Sequence, residues 1–265
     1  MLLRRLIWCA LLTALLVGSV QLAVGRWQAV PIVLAAEVFE SRKLHAEHPH
    51  THEQIAAPGH AHGDPNPTAA GSGERTAWTW VAHVLHGFSM ALLMFSVMGW
   101  WVWKRGAPMG TARVALAVAA AGLLSMDLWP ALGLPAEIPG MDAAALGSRQ
   151  AWWVLAATSA ALACAALAGV AAKSVPSHWR WLIAAALLAL PFMVGAPQPP
   201  GDPLAGFDAQ TRAQLQDLQR EFIWATRWTS LAFWTSLGGI GGWVFARWLK
   251  PAIAPGRPPQ IGQST

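Results

Sequence analysis

The sequence predicts an all-α polytopic membrane bundle of about six transmembrane helices, five being the alternative count, with both termini cytoplasmic. Three observations predict it. Apolar residues make up 55% of the 265-residue chain and charged residues 12%, against about 25% charged in an ordinary soluble domain. Six stretches are apolar around the whole helical circumference rather than along one stripe, the pattern of helices surrounded by lipid or protein interior. Lys and Arg gather at alternate ends of those stretches, as the positive-inside rule requires. So little charge cannot cover a globule of this size, which excludes an ordinary soluble enzyme. The two cysteines, Cys9 and Cys164, lie inside apolar runs, which excludes a disulfide scaffold and a Cys-based zinc module.

A helical crossing takes about 20 mostly apolar residues. The first stretch, 6–25, carries no charge and follows Arg4 and Arg5. It is long for the apolar region of a signal peptide, and no clear A-x-A site follows. A retained helix is therefore expected, running through Pro31 to about Ala36 with a tilt or kink at the proline, so that residues 1–36 form the first unit. Residues 37–76 are expected to be a His-rich extracytoplasmic loop, with low-complexity sequence over 57–73 that predicts disorder. Residues 77–249 hold the other helices. Segment two, 78–103, has only His83 and His86 as ionisable residues, and segment three, 114–134, has one acid, Asp127. Segment four, 150–172, is uncharged. Segment five, 181–196, is uncharged but short and runs into Pro-rich sequence, and segment six, 228–246, is uncharged. Pro-rich outer loops are expected at 135–149 and 197–221; within the second, 208–221 reads as a short amphipathic helix with Asp208 as its N-cap. Residues 250–265 read as a disordered cytoplasmic tail.

With six crossings, Arg4, Arg5, Lys104, Arg105, Arg113, Lys173, Arg180, Arg247, Lys250 and Arg257 share one side, which the rule assigns to the cytoplasm. That side holds ten of the 18 basic residues and none of the 13 acids; the other holds eight bases, all 13 acids and eight of the nine His. The net charge of +5 therefore hugs a membrane, and nucleic acid is not expected as a partner. Trp100, Trp101, Trp103, Trp152, Trp153, Trp179, Trp181 and Trp248 fit interfacial belts.

The acidic, His-rich side carries the chemistry. His45, His48, His50, His52, His60 and His62 lie in 37–76 among Glu37, Glu40, Glu47, Glu53 and Asp64. Neutral imidazole is a common ligand of divalent transition metals, and a dense His tract is a compositional sign of metal capture. His83 and His86 differ, being three apart on one face of a membrane helix. At 1.5 Å per residue they lie roughly 10–15 Å in from Ala77, and Asp127 lies roughly 10 Å in on segment three. The three are expected at one level, as an intramembrane ligand set. Below them Met90, Met94 and Met98 repeat at spacing four, a thioether track if it faces a pathway and packing if it does not. Proline-broken ends at 129–141 and 190–200 are where transporters place substrate sites. Glu37, Glu137, Asp142 and Arg149 are expected near the mouth, with Arg227 placed to neutralise one of the acids.

Enzyme signatures are missing. The chain has no G-x-x-x-x-G-K-[ST] loop, His52-Glu53 is followed by Ala56 where a zincin needs His, and no Ser or Cys shows a His/Asp pattern. No enzymatic activity and no organic cofactor are expected.

Several longer pieces carry a resemblance. These are V-P-I-V-L-A-A-E-V-F-E (30–40), the His-rich tract, E-R-T-A-W-T (74–79), A-L-G-L-P-A-E-I-P-G-M (131–141), L-G-S-R-Q-A-W-W (146–153) and L-P-F-M-V-G-A-P-Q-P-P (190–200). In order and wording the chain resembles the predicted cobalt transporter subunit family CbtA, over about residues 1–249. The resemblance implies a cobalt permease component of the bacterial cytoplasmic (inner) membrane. Its implied partner is a small single-span subunit, CbtB, with a His motif of its own. It also implies five spans, and a His after the proline of the fifth where this chain has Phe192. Co(II) is then the expected ion, with Ni(II) or Zn(II) satisfying the same ligands. The alternative function is a metal-binding accessory membrane protein that stores, senses or hands off Ni, Zn or Cu without translocation.

Overall fold

The computed structural model describes residues 2–47, 73–105, 110–170 and 176–253. Among them are seven helices and no strand. They are α1 (Leu2–Gln28), α2 (Val30–Glu47), α3 (Gly73–Arg105), α4 (Thr111–Ala131), α5 (Leu146–Leu167), α6 (Ser177–Val194) and α7 (209–253). Five of them, α1, α3, α4, α5 and α6, are long and apolar enough to cross a membrane. The sixth predicted stretch, 228–246, lies within α7; its hydropathy is diluted by four Gly and by Ser, Thr and Trp. Those small residues are there for packing. Lipid tails are as apolar as leucine, so helices in a bilayer associate through close van der Waals contact, which small residues allow.

Two antiparallel ladders show this. Between α1 and α3, Arg26 meets Thr76, Ser19 accepts a hydrogen bond from the Trp80 indole at 3.1 Å, and Ala14 faces Gly87. A Cβ on Gly18 would lie 2.9 Å from the Val84 amide nitrogen, so the two backbones nearly touch. Between α4 and α7, Lys250 donates to Thr111 at 3.2 Å, Gly242 faces Ala115 and Gly238 faces Ala119. Cβ atoms added at these glycines would come within 2.6 and 2.9 Å of the alanine methyls. From Ser230 beside Asp127 to Lys250 beside Thr111, α7 accompanies α4 over nearly its whole length.

The main core lies where α1, α3, α4 and α7 meet, around Phe95, Phe233, Phe245, Met94, Met98 and Leu237, all closed off from solvent. Met94 and Met98 are thus closely packed among these core side chains. The α5–α6 hairpin packs against α4. There the Trp152 indole donates to the Pro191 carbonyl at 3.0 Å and the Trp129 indole to the Leu188 carbonyl at 3.2 Å. Trp152, expected in an interfacial belt, is therefore an interior residue, only 4% exposed. Trp103, Trp179 and Trp181 stay well exposed.

The register gathers Arg4, Arg5, Lys104, Arg105, Arg113, Arg180, Arg247 and Lys250 at one end of the bundle. Arg105 there donates to the carbonyls of Ala168 and Gly169 at the end of α5, where the helix dipole favours a cation. The opposite end is covered by a small cap with its own apolar centre. Ala36, Ile138, Leu204 and Leu215 are buried there, with Phe39, Met141, Phe207, Leu218 and Phe222 packed around them.

Several boundaries differ from expectation. The first helix yields at Ala29 for one residue, beside Pro31, and resumes as α2 to Glu47. The stretch 37–47 was expected within a loop, but it is rich in helix formers and meets no proline or glycine before Pro49. The next described helix begins at Gly73. The predicted N-cap holds: the Asp208 carboxylate accepts from the Gln210 and Thr211 amides at 2.9 and 3.0 Å. The helix it starts is not short, however, and continues without a break into α7. The tract 48–72, the links 106–109 and 171–175 and the tail 254–265 lie outside the described residues, as does the His45 side chain.

Candidate functional site

Asp127 is brought to its place by an irregularity of α4. Ala115, Ala119 and Gly122 face α7. At about 100° per residue, an unbroken α-helix would turn Asp127 roughly 120° away from that face. Residues Leu123–Leu128 instead form a π-helical turn. Such a turn takes up an extra residue and swings the following side chains back by about 100°. Asp127 then meets α7: Ser230 Oγ donates to Oδ1 at 2.7 Å, and Trp234 Nε1 donates to Oδ2 at 2.6 Å. Trp234 can approach because Gly122 has no side chain; a Cβ there would run into the six-membered ring of the indole.

The neighbouring ring on α7 receives a histidine. His86 of α3 stacks on Phe233, centroids 4.6 Å apart and planes 21° from parallel. Phe233 and Trp234 meet edge to face at 5.3 Å. His86 Nδ1 lies 3.5 Å from Gln21 Oε1 on α1, the outer limit of a hydrogen bond. His86 remains exposed along one edge, and His83, one turn nearer the cap, is half-buried. Four helices thus contribute Gln21, His86, Asp127, Ser230 and Trp234 to one polar level within an apolar bundle. Of the three residues expected at one level, His86 and Asp127 lie against consecutive residues of α7, while His83 lies a turn nearer the cap. They do not form a closed chelate: among the described residues, no three His, Cys, Asp or Glu side chains converge on one metal position.

The acids expected at the mouth lie in or beside the cap, each held by a cation. Glu37 on α2 pairs with Arg75 on α3 at 3.0 Å, Asp142 with Lys43 at 3.4 Å, and Glu137 with Arg149 at 2.8 Å. Lys43 also sits over the Phe207 ring at 5.4 Å. Arg227, expected to neutralise one of these acids, instead lies over the Trp224 ring at 5.3 Å. Three residues back along its own helix, that ring is within easier reach than the loop at 135–149. Ser230, Trp234, Gln21 and Lys43 were not singled out in the sequence. A polar residue within an apolar helix, in a chain whose other apolar helices hold a lone carboxylate, is the signal that could have found Ser230. Nothing marked Trp234 among 17 tryptophans.

Five helices long and apolar enough to cross a membrane, packed with a seventh around a half-buried carboxylate, define a multi-pass membrane protein. A family described as "Probable cobalt transporter subunit (CbtA)" matches residues 3–246, nearly the whole chain, and the chain belongs to that family. Membership makes it a subunit, which implies a partner, and indicates cobalt as the transported ion. No curated protein and no solved structure matches it.

Proposed function

We propose that the chain is the membrane subunit of a divalent transition-metal uptake system, with Co(II) as its principal ion. On this reading the basic end faces the cytoplasm of a bacterial inner membrane and the cap faces outward, with α7 as a sixth crossing. The His-rich tract (His45, His48, His50, His52, His60, His62) concentrates metal outside. Glu37, Glu137 and Asp142 exchange their cationic partners for the incoming ion at the mouth. His83, His86 and Asp127 then carry it through the outer half of the bilayer. The observation that carries this reading is the His86–Asp127 level. Ionisable side chains inside a membrane bundle are costly and mark ion pathways or relays, and this pair sits against adjacent residues of the central helix. A small single-span subunit with its own His motif, like CbtB, is the proposed partner.

The open ligand set also suits an accessory role, in which the chain binds metal and hands it on without translocation. Cellular Co, Ni, Zn and Cu, measured with and without the chain and its partner, test the two readings together with flux into proteoliposomes. Cobalt accumulation and cobalt flux are expected. Binding without flux would leave the accessory role, and unchanged accumulation of all four metals together with no metal binding would overturn both.

A further inference from the structure

The geometry points to Trp234 and Ser230 as positioning residues that hold the Asp127 carboxylate fixed for the passing metal ion, an inference that rests on reading Asp127 as part of the pathway. The two donors are four residues apart, on one face of α7, and each takes a different carboxylate oxygen, at 2.6 and 2.7 Å. Two donors on two oxygens fix both the direction and the rotation of the carboxylate plane. Each oxygen keeps a second lone pair, so the group is oriented without being used up. The brace is itself held. Trp234 is 3% exposed, its ring lies over Gly122 and it abuts Phe233 edge to face. Phe233 in turn stacks on His86. Consecutive residues of α7 thus set a histidine and a carboxylate relative to each other. Packing alone asks only for an aromatic ring at position 234; the indole N–H answers a different need. A ligand held in place beforehand binds its ion without the cost of ordering a free side chain. Removing the brace should therefore act on apparent affinity more than on maximal rate.

The test is the initial rate of cobalt uptake against external CoCl2 in cells carrying the full chain and its native partner. It compares wild type, Trp234→Phe, Ser230→Ala, Asp127→Asn and the double variants with Asp127→Asn. Trp234→Phe keeps a ring and removes the donor. Loss of a hydrogen bond to a charged group predicts a rise in half-saturating cobalt of about tenfold for Trp234→Phe and several-fold for Ser230→Ala, with little change in maximal rate. Both substitutions should be silent in the Asp127→Asn background. Chain abundance in the membrane and the Tm in detergent establish that each variant is folded. Ordinary half-saturation in both single variants, while Asp127→Asn is impaired, would overturn the positioning role and leave the pathway reading standing. An equal effect of Trp234→Phe in the Asp127→Asn background would reduce Trp234 to packing and likewise overturn the inference. Normal uptake by Asp127→Asn would overturn the pathway reading itself.

Discussion

Gly122 decides where the Asp127 carboxylate comes to rest, because the Trp234 ring occupies the space a side chain would fill. Gly122→Ala should displace the indole and cost about 1–3 kcal/mol, as overpacking of a tight interior does, seen as a lower Tm in detergent. Adding Trp234→Phe should restore part of that loss, because the two residues share one space. A Tm unchanged by Gly122→Ala would contradict this seat for the ring. Asp208 behaves differently, at the start of α7 and open to water. Hydrogen bonds from the Thr211 amide, then the Thr211 hydroxyl, hold its carboxyl below the ordinary aspartate range. A depressed folded value means that its contribution to stability is present above the unfolded value, about pH 4, and is lost as pH falls through the folded value. Asn caps a helix about as well as Asp and does not titrate. Asp208→Asn should therefore show a shallower fall in Tm than wild type between pH 5 and pH 3; identical slopes would contradict this role for the cap.

Helices meet in this molecule through what is missing from their side chains. Gly242→Val should separate α7 from Ala115 and lower the Tm, whereas Gly239→Ala, whose new methyl meets nothing within 4 Å, should leave it unchanged. Equal effects of the two would contradict the α4–α7 register. The apolar stretches and their order were legible in the sequence because lipid imposes one rule on every residue of a crossing. The Asp208 cap was legible because it depends only on local chain geometry. The extension of α2 to Glu47 was hidden by charged residues that read equally well as loop or as solvated helix. The π-helical turn at Leu123–Leu128 was hidden because nothing in L-L-S-M-D-L announces an extra residue in the turn. The Asp127 level could be reached by counting residues along two helices, but its hydrogen bonds could not. They depend on the rotation of α4 and on which of many tryptophans faces an absent side chain.

At the scale of the whole molecule, a basic end and an acidic, capped end are joined by an apolar bundle with one polar level. The cap is tied by ion pairs, of which Glu137–Arg149 is the least exposed. Glu137→Gln should destabilise the chain by about 2 kcal/mol, since it strands a half-buried guanidinium, and a Tm equal to wild type would contradict that tie. Orientation follows from single cysteines placed in a Cys9→Ala, Cys164→Ala background. An impermeant maleimide applied to cells should label Ala143→Cys in the cap and spare Val170→Cys at the basic end; the opposite pattern would invert the bundle. The central claim, that metal passes the His86 level, is tested most directly by the dependence of cobalt uptake rate on external cobalt for His86→Ala beside a deletion of 48–72. The account predicts that the deletion raises half-saturation and leaves the maximal rate, because the tract collects metal, whereas His86→Ala lowers the maximal rate, so that saturating cobalt does not restore uptake. A His86→Ala chain that is folded, present in the membrane and kinetically identical to wild type would contradict it.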